Sequence, residues 1–199
     1  MFVKICGITN REDARAAIDG GAAALGFNFY PPSPRYVAPG RAAELIAGLP
    51  AGVWKVGVWV NEQPERVAET ARTLGLDIAQ LHGDETPAGY PAGVRVWKAV
   101  RVGPEFDPAA WEACPAEALL LDGPAGALYG GAGAAFDWSR ARVNKRIVLA
   151  GGLDESNVRE AIAAARPWGV DACSRLESAP GKKDHRKLAA FLKAALETI

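Results

Sequence analysis

Short apolar segments recur along this chain, and a polar or glycine-rich stretch separates each one from the next. Segments of this length, rich in valine, isoleucine, leucine and aromatic residues, are typical of buried β-strands. Eight segments have this character: Phe2–Cys6, Ala24–Phe29, Trp54–Val60, Ile78–Leu81, Val94–Ala99, Ala118–Asp122, Arg146–Ala150 and Val170–Ser174. Their spacing is that of strands alternating with compact helices, so the pattern predicts a series of βα units.

Four of the intervening stretches carry helix start and stop signals. Asn10–Gly20 begins with an N-cap residue and ends at a glycine pair. Gln63–Leu74 has proline at its first helical position and glycine just past its end. Asp154–Ala165 is predicted to start with an N-cap and an acidic first turn, and Asp184–Leu196 carries an apolar stripe.

The stretches after the fourth, fifth and sixth strands are weaker. Thr86–Tyr90 and Pro108–Ala113 allow one or two helical turns at most. Gly123–Phe136 is a long glycine-rich loop without helical periodicity. We therefore predict short or missing helices at these three places.

Alternating strands and helices imply a parallel sheet covered by helices, which is the α/β class. Eight repeats favour a closed (β/α)8 TIM barrel, and glycine-rich turns after the seventh and eighth strands fit the place where such barrels bind phosphate. An open doubly wound sheet is the alternative. No linker or break in composition divides the chain, so residues 1–199 are predicted to form a single barrel domain.

Composition excludes several classes of function. The 23 lysine and arginine residues balance the 23 aspartate and glutamate residues, so no net charge favours nucleic acid or a membrane surface. No apolar run approaches the roughly 18 residues of a membrane helix. Three separated cysteines do not form a disulfide framework, and two histidines offer no metal-ligand spacing. We expect a cytoplasmic protein without a metal ion.

The first strand places two reactive side chains on one face. Alternation puts Phe2, Lys4 and Cys6 inward, with Cys6 at the carboxyl end of the strand. Taken alone, Cys6 also fits a small buried hydrophobic residue. A buried lysine needs a partner, and Asp171 is the candidate for Lys4 because the first and eighth strands of a closed barrel are neighbours. A solvated lysine at a frayed chain start is the alternative.

A closed barrel brings the carboxyl ends of its strands to one rim. The polar or glycine residues predicted there are Cys6, Gln80, His82, Asp122, Gly151, Gly152, Asp171 and Ser174. Asp122 ends an apolar strand, where a partly desolvated carboxyl group suits general acid catalysis, although a simple Asp-Gly turn is equally consistent. Opposite it, Cys6 as a thiolate suits the general base.

Two further features suggest anion binding. Arg35 lies in a proline-stiffened loop after the second strand, where it can be held ready for an anionic group, although it also fits an ordinary solvated charge. Gly151 and Gly152 after the seventh strand, and the stretch Ser174–Gly181 after the eighth, offer backbone N–H groups to a phosphate.

Several motifs in order along the chain resemble the phosphoribosylanthranilate isomerase family. The motifs are Lys4-Ile5-Cys6-Gly7-Ile8-Thr9, Gly26-Phe27 with Ser33-Pro34-Arg35, Val56-Gly57-Val58 with Val60-Asn61, Gln80-Leu81-His82-Gly83, Leu121-Asp122-Gly123, Gly130-Gly131 with Phe136-Asp137-Trp138, Leu149-Ala150-Gly151-Gly152-Leu153, and Pro180-Gly181 with Lys183-Asp184. Together they span essentially the whole chain, which makes the resemblance far more specific than any single motif.

The resemblance implies a (β/α)8 barrel that catalyses an Amadori rearrangement in tryptophan biosynthesis without a cofactor. N-(5-phosphoribosyl)anthranilate would become 1-(2-carboxyphenylamino)-1-deoxyribulose 5-phosphate, with Asp122 as general acid and Cys6 as general base. Arg35 would bind the anthranilate carboxylate, and His82 and Asp171 would lie near the substrate. Gly151, Gly152 and Ser174 would hold the phosphate. A small-molecule substrate is the expected partner, and a monomer or a homodimer is the expected assembly.

The chain departs from the family pattern at two positions. Arg175 stands where the pattern has glycine after the eighth strand, and Ala132 stands where threonine is usual. The Arg175 guanidinium would either bind the phosphate, point to solvent or disturb the site. Another phosphosugar-handling barrel enzyme, or a non-catalytic phosphate-binding barrel, is therefore the alternative function.

Overall fold

The strands form a closed parallel barrel, as the repeat pattern predicted, and the open-sheet alternative is wrong. The computed structural model describes residues 1–123 and 137–198. The barrel strands, in chain order and in spatial order, are β1 Phe2–Ile5, β2 Ala24–Asn28, β3 Trp54–Trp59, β4 Ile78–Leu81, β5 Arg95–Arg101, β6 Ala118–Asp122, β7 Ile147–Leu149 and β8 Gly169–Ala172. β1 pairs with β8 and closes the barrel.

Helices connect the strands on the outside. They are α1 Arg11–Asp19, α2 Pro39–Ile46, α3 Pro64–Leu74, α4 Ala109–Glu112, α5 Val158–Ala165 and α6 His185–Leu196. After β4 there is only a 3-10 turn, Pro87–Gly89, and after β5 only the four-residue α4, as predicted. The loop predicted over Gly123–Phe136 lies, beyond Gly123, outside the described residues. None of the described helices is both long and apolar enough to cross a membrane.

Two helices differ from the prediction, and in each case the difference arises at the first turn of the helix. α2 was not predicted, because its N-cap position, Ala38, has no capping side chain and the second helical residue is Gly40. α5 begins at Val158 rather than near Asp154. The Asp154 carboxylate accepts hydrogen bonds from the backbone N–H and hydroxyl of Ser156, which makes a local turn before the helix starts.

The segment after β8 also differs from its predicted form. β8 ends at Ala172, so Ser174 belongs to the 3-10 turn Ser174–Leu176 rather than to the strand. A short antiparallel hairpin follows, formed by β9 Glu177–Ala179 and β10 Lys182–Lys183. Its residues face the carboxyl end of β1, where the predicted site lies.

The apolar residues form two layers, one between the strands and helices and one inside the barrel. At the amino-terminal end of the strands, the interior is closed by four aromatic side chains, Phe2, Trp54, Trp97 and Trp168, which we call the aromatic floor. Phe2 stacks on Trp168 with ring centroids 4.3 Å apart, and its centroid lies 5.1 Å from that of Trp54. This floor separates the amino-terminal opening from the polar side chains at the other end.

Above the floor, a buried ion pair joins the first and last strands. Lys4 and Asp171 are directly opposite each other in the β1–β8 register, and Lys4 Nζ donates to Asp171 Oδ1 at 2.8 Å. The Lys4 side chain is fully buried. The predicted partnership is confirmed, and the frayed, solvated alternative for Lys4 is wrong. Both groups are buried, so water cannot take the place of either partner. The pairing of β1 with β8, which closes the barrel, therefore also brings each buried charge to its counter-ion.

The substitution Lys4→Met is expected to lower the free energy of unfolding by about 3 kcal/mol, because it leaves the Asp171 carboxyl group buried without its counter-ion. Urea denaturation followed by tryptophan fluorescence measures this loss. The matched control is Lys4→Met/Asp171→Asn, which removes both charges and is expected to recover about 1 kcal/mol or more. A Lys4→Met protein with unchanged stability and activity would mean that the pair is unimportant.

Candidate active site

Cys6 lies directly after β1, at the carboxyl end of the barrel and partly exposed. Its sulfur faces the barrel interior and lies against β2 at Gly26. A Cβ atom at Gly26 would lie 2.8 Å from Cys6 Sγ and 3.1 Å from Lys4 Cε, which is closer than such atoms approach. Glycine at this position of β2 therefore makes room for the thiol and for the lysine below it.

A second cysteine lies beside the first. Ile5 is opposite Ala172 in the β1–β8 register, and the Cys6 backbone N–H donates to the Ala172 carbonyl at 2.9 Å. Cys173 follows, and its thiol hydrogen-bonds to the Cys6 sulfur. A Cβ atom on Gly7 would lie 2.9 Å from Cys173 Sγ, so this thiol packs directly against the chain that leaves Cys6.

The two thiols share one proton unequally. The hydrogen bond from Cys173 holds the pKa of Cys6 well below its usual range, against the opposing effect of burial. The ammonium groups of Lys4 and Lys183 lower the pKa of Cys6 further. The same contact raises the pKa of Cys173 well above its usual range, and burial adds to this. The favoured state is a Cys6 thiolate that accepts a hydrogen bond from the Cys173 thiol.

One buried ammonium group serves more than one acidic neighbour. Burial raises the pKa of Asp171 to about 7, Lys4 opposes this rise, and the Cys6 thiolate and Asp122 add to it. Burial alone would lower the pKa of Lys4, but Asp171 and Cys6 raise it above its usual range. Lys4 therefore stays charged and favours the ionised form of both Asp171 and Cys6.

Asp122 ends β6 and contacts a histidine that directly follows β4. His82 Nε2 lies 3.3 Å from Asp122 Oδ2, and both side chains are nearly buried. Gln80 Nε2 lies 3.0 Å from His82 Nδ1. With the amide nitrogen as donor, His82 Nδ1 accepts and His82 Nε2–H donates to Asp122 Oδ2. The contacts from Gln80 to His82 and from His82 to Asp122 therefore fix the orientation of the Asp122 carboxyl group.

The glycine pair after β7 lies against the same carboxyl group. Gly151 has φ of +87° and Gly152 has φ of +64°, a left-handed conformation that favours glycine. A Cβ atom on Gly151 would clash with the Gly123 backbone nitrogen and lie 2.9 Å from Asp122 Oδ1. The turn predicted to hold phosphate is therefore adjacent to the predicted acid.

Arg175, the residue that departs from the family pattern, is half exposed and bonds to the turn after β7. Its Nη1 lies 3.0 Å from Asp154 Oδ2. Burial opposes ionisation of Asp154, but bonds from Ser156 and from Arg175 lower the pKa of this carboxyl group. Arg175 thus neutralises a carboxylate that lies two residues from Gly152, on the side where an anion is expected.

Arg35 is held by a carboxylate from the β9–β10 hairpin, in addition to its proline-rich loop. Arg35 Nε and Nη2 donate to the two oxygens of Glu177 at 2.8 and 2.7 Å. Lys183 Nζ lies 3.0 Å from Glu177 Oε1, and its side chain is fully buried. Burial opposes the ionisation of Glu177, yet Arg35 and Lys183 lower its pKa. The interpretation of Arg35 as an ordinary solvated charge is wrong.

Three residues of this cluster were not among the predicted site residues. Cys173 carried a usable signal, because alternation along Val170–Ser174 puts it on the same face as Asp171, and the β1–β8 pairing then puts it beside Cys6. Glu177 and Lys183 carried none beyond their place in a polar segment, since their roles depend on a hairpin that the sequence pattern does not show.

Chemically, the rim combines a thiolate, a carboxyl group and two places for anions. Cys6 follows β1, Asp122 ends β6 and Asp171 lies near the end of β8, so all three groups lie toward the carboxyl end of one closed barrel. The glycine pair after β7 and the arginine held by Glu177 lie at the same end of the barrel. Within residues 1–123 and 137–198, no group of three or more histidine, cysteine or acidic side chains is placed to hold a metal ion. The arrangement suits proton transfer on a small, doubly anionic molecule.

Comparisons with known proteins show the family to which the chain belongs. A family model described as N-(5'phosphoribosyl)anthranilate (PRA) isomerase matches residues 3–194. The N-(5'-phosphoribosyl)anthranilate isomerase of Solibacter usitatus is 59% identical over 196 residues, which cover 98% of this chain and 97% of that relative. The crystal structure of phosphoribosyl anthranilate isomerase from Thermotoga maritima is 40% identical, with a TM-score of 0.90 over 99% of both chains.

A further crystal structure of a phosphoribosyl anthranilate isomerase is similar to this chain and contains a bound ligand. That protein is described as a complex with reduced 1-(o-carboxyphenylamino)-1-deoxyribulose 5-phosphate. It is 40% identical, with a TM-score of 0.86, and the match covers 99% of each chain. The similarity therefore extends over the whole length of proteins with one shared description.

The dependence of Cys6 on its neighbour can be measured by alkylation. In a Cys114→Ser background, the rate of Cys6 alkylation by iodoacetamide is expected to rise with pH at an inflection below the range of an ordinary cysteine. Cys173→Val removes the hydrogen-bond donor and should move the inflection to higher pH. Cys173→Ser keeps a donor and should stay near the parent. Equal inflections for the valine and serine variants, measured by peptide mass spectrometry, would contradict the assigned hydrogen bond.

Proposed function

The chain belongs to the N-(5'-phosphoribosyl)anthranilate isomerase family, and on this premise we propose which of its residues perform the reaction. It is an isomerase of tryptophan biosynthesis. We assign Cys6 as the general base and Asp122 as the general acid. The observation that supports this assignment is the placement of both groups at the carboxyl end of one closed barrel, Cys6 directly after β1 and Asp122 at the end of β6 beside His82.

The substrate, N-(5-phosphoribosyl)anthranilate, is held at both ends. Its phosphate binds to backbone N–H groups of Gly151, Gly152 and Ser174, with the Arg175 guanidinium at the edge of this site. Its anthranilate carboxylate binds to Arg35. Because Nε and Nη2 of Arg35 are bound to Glu177, the Nη1 side of the guanidinium meets the substrate. Two anchored anions fix the ribose between them, over the barrel mouth.

The first chemical step opens the ribose ring. Asp122 donates its proton to the ring oxygen, the bond between that oxygen and C1 breaks, and the aniline nitrogen lone pair forms the Schiff base. His82 Nε2 lies 3.3 Å from Asp122 Oδ2. His82 therefore orients the carboxyl group before the proton transfer and hydrogen-bonds to the carboxylate afterwards. The Gln80–His82 contact fixes the imidazole that does this.

The second step moves the double bond. The Cys6 thiolate removes the proton from C2 of the sugar, and the electron pair of that C–H bond gives an enolamine. The enolamine then tautomerises to the ketone, 1-(2-carboxyphenylamino)-1-deoxyribulose 5-phosphate. The Cys173 thiol and the ammonium groups of Lys4 and Lys183 lower the pKa of Cys6 and so favour the thiolate that acts as the base.

The assigned roles are tested by the fluorescence decay of freshly generated phosphoribosylanthranilate. Cys6→Ala and Asp122→Ala are each expected to lower kcat by about a hundredfold or more, because each removes a positioned proton-transfer group. The Michaelis constant should change little, since the anions remain anchored. Cys114→Ser is the matched control, and it should behave as the parent. Turnover that survives both alanine substitutions would refute the roles, and a parent protein without turnover would favour a binding protein.

The effect of Arg175 is tested by restoring glycine. Because its guanidinium neutralises Asp154 while the backbone binds phosphate, we expect Arg175→Gly to leave kcat unchanged and to change the Michaelis constant by less than about tenfold. Arg175→Ala is the control that separates loss of charge from gain of backbone freedom. If the glycine variant improved the Michaelis constant by about a hundredfold or more, the arginine would be damaging the phosphate site.

A further inference from the structure

The pairing of two cysteines at the barrel mouth is more than the isomerisation needs. The proposed reaction uses one sulfur as a base, and a hydroxyl group in place of the second thiol would donate the same hydrogen bond. We propose that Cys6 and Cys173 form a redox modification site, in which hydroperoxides convert the two thiols into a reversible intramolecular disulfide.

The backbone geometry allows this bond. Cys6 and Cys173 follow residues that are directly opposite in the β1–β8 register, Ile5 and Ala172, and the Cys6 N–H is bonded to the Ala172 carbonyl. Neighbouring strands lie about 4.8 Å apart, and disulfide-linked Cα atoms are usually about 4.4 to 6.8 Å apart. Both side chains point to the inner face, and a Cβ atom on Gly7, the residue after Cys6, would lie 2.9 Å from Cys173 Sγ.

The charges around the pair favour the chemistry. Lys4 lies below Cys6 on the same strand, and Lys183 Nζ lies 3.7 Å from Cys173 Sγ. Ammonium groups stabilise the thiolate that attacks a peroxide and the thiolate character that develops in the second sulfur. Glu177 Oε1 lies 3.9 Å from Cys173 Sγ, within reach to accept the proton that this thiol gives up. Both cysteines are partly exposed, so a small peroxide reaches them.

The reaction proceeds in two balanced steps. The Cys6 thiolate attacks one oxygen of hydrogen peroxide, the O–O bond breaks, and the products are a Cys6 sulfenic acid and hydroxide. The Cys173 sulfur then attacks the Cys6 sulfur, the S–O bond breaks, and water leaves with the proton of the Cys173 thiol. Peroxide is the oxidant, and the two thiols together lose two electrons.

The third cysteine is an internal control. Cys114 follows α4, and its sulfur lies 3.3 Å from the hydroxyl of Tyr90, in contact with neither of the other two in the described structure. Its tryptic peptide, residues 102–140, is distinct from those of Cys6, residues 5–11, and of Cys173, residues 160–175. A disulfide between the two mouth cysteines therefore has a unique peptide mass.

The test is oxidation of the full chain by hydrogen peroxide, followed by trypsin digestion without reductant. Peptides 5–11 and 160–175 are expected as one species, lighter than their sum by two hydrogen atoms. Added dithiothreitol should separate them. A peptide pair containing Cys114 instead, or a Cys6 that is only overoxidised, would overturn the proposal.

The matched variant is Cys173→Ser, which keeps a hydrogen-bond donor but has no sulfur. After prolonged peroxide treatment its Cys6 is expected to reach the sulfinic acid, which thiols do not reduce. The activity that dithiothreitol restores, relative to each untreated protein, should then be at least about fivefold lower than for the parent. Equal recovery in parent and variant would contradict a protective disulfide.

The activity readout alone rests on the proposed function of Cys6. If the linked peptides form but turnover is unaffected, the role of Cys6 as general base fails and the modification site stands. If turnover is lost without linked peptides, the modification site fails and the role of Cys6 stands. The two hypotheses are therefore decided separately by mass and by rate.

Discussion

A single buried ammonium group organises the mouth of this barrel. Lys4 is fully enclosed, bonds to Asp171 across the seam that closes the barrel, and influences the ionisation of Cys6 one step above it. A charge in this position needs opposite charge close by, since burial without it costs several kcal/mol. The fold and the chemistry are therefore tied together, because the ion pair that joins the first and last strands also sets the charge of the thiol.

From this pair, acidic and basic groups alternate around one side of the rim. Lys4 adjoins Asp171 and Cys6, Cys6 adjoins Cys173, and Lys183 adjoins both Cys173 and Glu177, which in turn holds Arg35. Each member has a neighbour that favours its charged or proton-donating state. The orientation of Arg35, in the loop after β2, thus depends on the β9–β10 hairpin. A substitution in that loop therefore affects the hairpin, and a substitution in the hairpin affects the loop. His82 and Asp122 form a separate polar cluster across the mouth.

The sequence alone was sufficient to predict the features that follow from a local residue pattern or from closure of the barrel. Strand alternation predicted eight strands, and closure turned Lys4 and Asp171 into partners that the structure confirms. It was insufficient where a helix lacks a capping side chain, as in α2, whose N-cap residue is alanine and whose only start signal is the proline at its first position. It was also insufficient where a contact requires the exact path of an irregular segment. Glu177 bonds to Arg35 from 142 positions away, through a hairpin without a strong strand pattern.

The aromatic floor has a consequence for the cell rather than for the fold. Tryptophan fills three of its four positions, and the whole chain contains six such residues. Every new copy of an enzyme that serves tryptophan synthesis must therefore be translated from six molecules of the end product. The synthesis of new copies therefore consumes the same amino acid whose supply this enzyme helps to restore.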